Sequence, residues 1–480
     1  MNLDALLKRG EGKTLEFKRD LSSPKNLVKT LVAFANTAGG QVIIGVDDRN
    51  RLPGGVEHPL DEEERLCSLI ADSIRPRLVP NVEMITVYGK TLLMVEVFLS
   101  GSRPHWLKAE GPEHGVYVRL GSTNRQADRE LIAELRRSVE GVAFDELSMP
   151  GLSADDLDLA ALKTLFRDQH DLGEKELLTL RLLTNEQGRL VPTKGAVLLF
   201  GKERERHFPD AWVQCGRFIG LDKAAIFDHI ELYDHLPQAV DNIMLFLKKH
   251  AMRSADFSEI RRKDVWSIPL GILREAVINA LVHADYSQRG APIRIAFFDD
   301  RIEIENPGIL LPGMTIEDMK QGVSKIRNHV IARVFRELKL IEQWGSGVLR
   351  MFREAEEQGL PVPEIVEVGM RVRFIVPLAE PIATQATKGG VTPEVTPEVT
   401  PEVERLLRVI EGEMTRQEIQ ERLGLKDEKH FREAYQQAAL KVGVLEMTIP
   451  DKPKSRLQKY RLTAKGKQVV REMLAGGNGE

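Results

Sequence analysis

The chain is 480 residues long with 42% hydrophobic and 29% charged residues, a globular composition that exceeds one core and implies several domains. A net charge of −4 excludes a chain-wide nucleic-acid surface, and neither a membrane-length apolar run nor an apolar signal core at the N-terminus is present. Cys67 and Cys215 are too few for a disulfide framework or a zinc site, so a reducing, cytoplasmic setting is expected.

Residues 1–140 read as a mixed α/β unit. "PKNLVKTLVAFANTAGG" is an amphipathic helix stopped by Gly39-Gly40, and "QVIIGVDD" is a buried strand ending in acids. "DEEERLCSLIADSIRP" is a second helix with acids in its first turn, and "NVEMITVYGKTLLMVEVF" is a hairpin around Gly89. Residues 141–265 carry no sharp signal beyond "TKGAVLLFGKE", helix or strand on a core, and read as a connecting region. Residues 266–380 form a second α/β unit, with a helix at 274–286, strands "PIRIAFFDD" and "RIEIENPG", and a Gly-rich turn "WGSGVLRMF". Three Val-Thr-Pro-Glu copies make 381–402 an extended linker. Residues 403–475 show three short helices and then strands "VLEMTI" and "QKYRLT", the order of a winged helix-turn-helix.

In "REAVINALVHADY", Glu275, Asn279 and His283 recur every four residues and share one helix face, which an ordinary surface stripe would also explain. Asn306-Pro307-Gly308 then ends a strand, and Gly345-Ser346-Gly347 opens a helix where backbone N–H groups can approach a phosphate. In this order the elements resemble the Bergerat (GHKL-like) ATP-binding fold, most closely its divergent RecG-related form over residues 190–378. The resemblance implies that Asn279 ligates Mg²⁺ on ATP and that Glu275 polarises the attacking water. It also implies that His283 and Asp285 line the phosphate side, that Gly345 to Gly347 form the lid, and that Lys325, Arg327 and Asn328 add phosphate contacts. Asn306 stands where the adenine-binding acid of Asp-x-Gly-x-Gly is usual, followed by Gly308, and Leu310 replaces the second glycine. An amide oxygen accepts from the adenine amino group more weakly than a carboxylate does. No P-loop occurs, so no helicase is implied.

Near the N-terminus, Glu11, Glu16 and Asp47 lie close to strand ends, where three acids can hold a divalent metal or can simply be solvated. "E-x-x-x-x-E-F-K", "ANTAGG", "IIGVDD" and "YVRLGSTN" together resemble the Schlafen-type AlbA (AlbA_2) domain over roughly residues 10–135. Some members are metal-dependent RNA nucleases, which maps the three acids here to Glu11, Glu16 and Asp47. That lobe pairs two such domains and one copy is visible, so cleavage implies a homo-oligomer. Lys18, Arg119 and Arg125 are candidate nucleic-acid contacts.

At the far end, residues 441–471 hold nine basic and two acidic residues, a local phosphate-binding footprint. Lys429 and Arg432 fall on the expected recognition helix, with Lys452, Lys454, Arg456 and Lys459 on the wing. The region resembles the winged-helix tail of Fic-like proteins, and protein docking is the competing use. The expected fold class is therefore α/β (α+β) multidomain, with an AlbA-like α/β domain, a Bergerat-type α/β sandwich and a C-terminal winged helix. The expected function is an ATP- and Mg²⁺-binding, nucleic-acid-associated transcriptional regulator with nucleotide-gated domains, its partner DNA rather than RNA. A metal-dependent endonuclease with regulatory ATP, and an interaction scaffold, are the alternatives.

Overall fold

The computed structural model describes residues 3–47, 50–166, 172–256, 263–266, 268–341, 347–381, 401–410 and 412–425, and beyond these 431, 435, 436, 439, 440, 444–448, 458–463, 466, 467 and 470. Two compact units divide the chain, Met1–Thr384 and Gln385–Glu480.

The first unit opens with β1 (Leu15–Lys18), α1 (Pro24–Asn36), β2 (Gly40–Ile44), β3 (Asn81–Val87) and β4 (Lys90–Val97). Their sheet runs β1-β2-β4-β3, with β1 and β2 parallel and the other pairs antiparallel. β3 and β4 form the expected hairpin, closing from Val87 opposite Lys90 through Tyr88-Gly89. On α1, Leu27, Leu31, Phe34 and Ala35 are buried against Val42, Ile44, Val95 and Val97. Asn36 at its end is fully buried, and its amide donates to the carbonyls of His105 and Tyr117 at 2.9 and 3.0 Å. That fixes β5 (Tyr117–Leu120) beside the helix, with Arg119 in its middle. α2 (Arg129–Glu140) follows, capped by Asp128 accepting from Leu131 N–H.

The stretch 141–265 contains more than a connection. α3 (Lys194–Phe200) settles the ambiguous apolar run as a helix, capped by Thr193 and almost entirely buried. β6 (Val213–Phe218) and β7 (Ile226–Leu232) belong to the same sheet as the strands beyond residue 290. With β8 (Ile293–Phe297), β9 (Arg301–Pro307), β10 (Glu364–Val368) and β11 (Arg371–Pro377), the sheet order is β7-β6-β8-β9-β11-β10. Only β6 and β8 pair in parallel within this sheet. α4 (Leu236–Ala251), α5 (Leu270–His283), α6 (His329–Glu337) and α7 (Gly347–Glu357) share one apolar core with this sheet.

On α5, Ile272, Leu273, Ala276, Val277, Ala280 and Leu281 are buried, so the polar residues of the helix have one free face. The N-terminus of α6 is capped from far along the chain. Asp145, fully buried, accepts from the N–H groups of His329, Val330 and Ile331 at 3.0, 2.7 and 2.9 Å. Burial lifts the Asp145 carboxyl to about 6 against the pull of those donors.

The two halves of the first unit meet along the loop after β9. Ile309 inserts among Val116, Val118, Leu131 and Leu135. Gly313 N–H donates to Thr37 C=O at 2.6 Å, and Lys13 pairs with Glu367 at 2.7 Å.

The second unit contains α8 (Pro401–Val409), β12 (Met414–Thr415), α9 (Arg416–Leu423), β13 (Leu445–Met447) and β14 (Lys459–Leu462). The strands form an antiparallel sheet in the order β12-β14-β13 over a core containing Leu406, Leu407, Ile419, Phe431 and Tyr460. A Thr415–Glu418 capping box starts α9.

Candidate functional site

The expected polar face of α5 opens into a cavity of about 340 Å³ between that helix, the end of β9, the 309–327 loop, α6 and the start of α7. Glu275, Asn279, His283, Asn306, Lys325, Arg327 and Gly347 all line it. Its apolar wall includes Ile278, Leu310, Met314, Ile341 and Phe374. The lining therefore offers both apolar surface for a flat ring and polar groups for an anion.

The hydrogen bonds set which atoms are available. Asn279 Nδ2 donates to Glu275 C=O and to Glu275 Oε1, both at 2.8 Å. Its Oδ1 has no hydrogen bond to another described residue, and an amide oxygen is a hard ligand of the kind Mg²⁺ prefers. Glu275 Oε2 accepts from Arg350 Nη2 at 3.1 Å. A Cβ on Gly347 would lie 1.7 Å from Glu275 Oε1, so the start of α7 closes directly on that carboxylate. At the far end, Asn306 Nδ2 faces the carbonyls of His283 and Pro307 at 3.4 and 3.2 Å, leaving its oxygen as an acceptor.

Cations line the same cavity. Lys325 Nζ donates to Pro312 C=O at 2.9 Å. Arg327 is held by Glu134 of α2 and by the Ile309 carbonyl. Arg336 brings a buried Nε with no hydrogen-bond partner among the described residues. Burial, with Arg327 adding to it, pushes His283 down to about 4, so the imidazole is neutral at pH 7. The residues present fit a nucleotide with its metal. Asn279 offers an oxygen ligand, and Lys325, Arg336 and Arg350 offer charge.

Three expected cavity residues lie elsewhere. Asp285 is buried, accepts from Ser287 Oγ at 2.5 Å and Gln288 Nε2 at 3.1 Å, and faces a second cavity. Asn328 is turned to the end of α5, where its amide satisfies the Val282 and Ala284 carbonyls at 2.8 Å each. Those groups would otherwise be orphaned at a helix terminus, while the Asn328 Oδ1 is buried with no hydrogen-bond partner among the described residues. Gly308 lies outside the cavity wall. With φ +99 it packs its backbone against Asp285 and Arg327, and a Cβ there would come within 2.8 Å of Asp285 Cβ. Gly345 and Ser346 lie outside the described residues. Arg336 and Arg350 were missed because each reads in sequence as an ordinary cation on an amphipathic helix.

The N-terminal acids are not gathered. Glu16, nearly buried, is paired with Arg119 and with Lys18 at 2.6 Å. Arg119 also donates to Gly12 C=O at 3.0 Å and Asn124 Oδ1 at 2.9 Å. Glu11 accepts from Phe17 N–H at 3.0 Å, and Asp47 accepts from Asn50 N–H at 3.1 Å within its own turn. Among the described residues no group of three or more His, Cys, Asp or Glu could hold a metal ion. Each expected ligand is instead tied to a local donor, so this donor set does not fit a metal. Among the described residues no helix is long and apolar enough to cross a membrane.

Of the C-terminal cations, Lys429, Arg432, Lys452, Lys454 and Arg456 lie outside the described residues. Lys459 is exposed on β14. Its neighbour Arg461 is paired with Glu446 at 2.6 Å and Glu413 at 3.2 Å, which removes part of the local basic excess.

Three separate stretches of the chain match known families. Residues 11–128 match the family described as Schlafen, AlbA_2. Residues 290–376 match "Putative ATP-dependent DNA helicase recG C-terminal". Residues 401–463 match the C-terminal domain of Fic-like proteins, filamentation induced by cAMP. The chain thus carries an AlbA_2 domain and a RecG-related C-terminal domain in a mixed α/β, multidomain fold. No curated protein matches the chain.

Among solved structures, the DIP2311 protein of Corynebacterium diphtheriae is 18% identical over 96% of this chain and 94% of its own, with a TM-score of 0.43. The N-terminal domain of a RecG-related protein of Nitrosomonas europaea is 31% identical over 26% of this chain and 90% of its own, at 0.22. A Fic family protein of Desulfovibrio desulfuricans is 15% identical over 70% and 77%, at 0.13.

Proposed function

We propose that the chain is an ATP-binding, nucleic-acid-associated regulator whose nucleotide occupies the α5–β9 cavity in the manner of a Bergerat fold. The observation that carries this is the meeting of Asn279, Asn306 and a cluster of cations in one cavity with an apolar wall. In this reading Asn306 Oδ1 accepts from the adenine amino group and the apolar wall takes the ring. Asn279 Oδ1 holds Mg²⁺, which when bound offsets phosphate charge and fixes its orientation. Lys325, Arg336 and Arg350 meet the phosphates, and α7 closes with Gly347 over them. Glu275 is the candidate base for a water, should the site turn over.

The C-terminal unit serves in this reading as a winged helix that contacts DNA. The helical segments followed by an antiparallel sheet, and the Fic-like match over 401–463, support it. Nucleotide in the cavity then alters how the ends of the chain present their basic surfaces.

The test is binding of a fluorescent ATP analogue, with and without Mg²⁺, to wild type and Asn279→Ala. Magnesium-dependent binding that is lost in the variant supports the site. Equal affinity in the two proteins overturns it. Glu275→Gln separates the roles further, retaining binding while losing any hydrolysis.

A further inference from the structure

A second cavity, of about 400 Å³, lies between α2, the start of α3 and the 285–291 loop, with Pro307 at the end of β9 in its wall. Arg129, Arg137, Lys194 and Arg289 line it, with His207 beside them. The centre of this group is built around one ring. Lys194 Nζ lies 4.1 Å from the Phe144 centroid and the Arg137 guanidinium 5.4 Å from it. Phe144 is itself fixed edge-on to Phe208, at 6.2 Å between centroids.

No ion pair joins Lys194 or Arg137 to a carboxylate among the described residues. The acids in the same wall are Glu130, Asp210 and Asp285, and Asp285 is already engaged by Ser287 and Gln288. Glu134, one turn before Arg137, is engaged by Arg327. Two half-buried like charges held against one aromatic ring repel each other. Burial and the Arg137 charge both lower the Lys194 pKa, the signature of a group that lacks its counter-ion. An ordinary solvated cation has neither the ring nor the like-charged neighbour.

The cationic surface continues. A third cavity, of about 290 Å³, shares Arg137 and Phe144 with the second, and shares Lys325 and Arg327 with the nucleotide cavity. Arg103 stands in its wall, held by Ser138 Oγ at 3.2 Å. The three cavities therefore share lining residues in series and form a seam from α2 and the start of α3 to the loop after β9.

We propose that this seam, centred on Lys194, Arg137 and Phe144, is a binding track for the phosphodiester backbone of a single nucleic-acid strand. Lys194 and Arg137 meet phosphates, and Phe144 is a positioning residue that holds both in place. The class of ligand rests on the reading of the chain as nucleic-acid-associated, while the site is one that reading did not contain.

The experiment is fluorescence anisotropy of a labelled single-stranded dT or rU oligonucleotide with the full chain, over a salt series. Wild type is compared with Lys194→Ala, Arg137→Ala and Lys194→Arg, and the ATP analogue is titrated in parallel. Each alanine variant is expected to weaken strand binding about five- to tenfold and to shallow the log–log salt slope by about 0.7, the value of one lost phosphate contact. Lys194→Arg should keep wild-type affinity, and thermal unfolding should show all variants folded. ATP-analogue affinity should be unchanged throughout.

Equal affinity and slope in wild type and both alanine variants would overturn the track and leave nucleic-acid association intact. Strand binding absent from wild type would overturn both, while the ATP titration still judges the nucleotide site. Direct binding of pyrophosphate that is lost in Lys194→Ala and Arg137→Ala, with no strand bound by wild type, would make this a small-anion site and likewise overturn the track.

Discussion

Glu16 and Glu275 are both largely covered carboxylates beside an arginine, yet their surroundings differ in kind. Glu16 is closed on itself, with Arg119 nearly inaccessible and Lys18 completing the group. Glu275 has one oxygen on Asn279, the other on a half-exposed Arg350, and a cavity in front of it. A cluster whose charges already satisfy one another holds a fold together. The second cluster faces a cavity, where the Asn279 oxygen and the Arg336 Nε make no hydrogen bond among the described residues. That contrast, rather than residue type, separates the N-terminal acids from the central site.

The contrast can be broken most directly at Arg119. Arg119→Ala leaves Glu16 with Lys18 but without its buried guanidinium partner, and should cost about 2–3 kcal/mol, read as a lowered denaturant midpoint. A stability loss under about 1 kcal/mol would show that the Glu16 cluster is not structural and would return it to the functional candidates.

His283 gives the next largest effect. Its folded pKa of about 4 lies below the unfolded value of 6.5, so its contribution is fully present above pH 6.5 and is lost as pH falls toward 4. His283→Gln should therefore flatten acid destabilisation in that window, by on the order of 2 kcal/mol at its lower end. Parallel unfolding curves for the two proteins from pH 7 to 4 would contradict the neutral imidazole.

Gly347→Ala sharpens the other side of the comparison. The new methyl forces Glu275 off its present position, costing about 1–2 kcal/mol in thermal unfolding and weakening the ATP analogue. Arg350→Ala is the mildest. Its exposed pair with Glu275 is worth under about 1 kcal/mol, so the melting temperature should barely move while ATP-analogue affinity drops a few-fold. A large stability loss there would mean that Glu275 too is a closed structural pair.

The sequence made the open cluster readable wherever local periodicity governs it. Glu275, Asn279 and His283 share a face because helical geometry requires it, and the cavity lies on that face. What could not be read are pairings made through space. Nothing near residue 328 says that two carbonyls at the end of α5 need its amide. Nothing near residue 285 shows that Gly308 backs onto its side chain. Asp145 caps a helix more than 180 residues away, and its own neighbourhood gave no sharp signal. β6 and β7 were illegible for a related reason. β7 alternates half-covered and exposed residues at the sheet edge, so its pattern carries little hydrophobic contrast.

Arg327 belongs to two environments at once, since it lines the α5–β9 cavity and holds Glu134 of α2. Burial raises the Glu134 carboxyl to about 7 even with that guanidinium in place. An anion that drew Arg327 toward itself would leave the carboxylate without its counter-charge, and the carboxyl would take a proton from solvent. Occupancy of the cavity is then coupled to proton uptake. The heat of ligand binding near pH 8 should vary with the ionisation enthalpy of the buffer, and Glu134→Gln should abolish that variation.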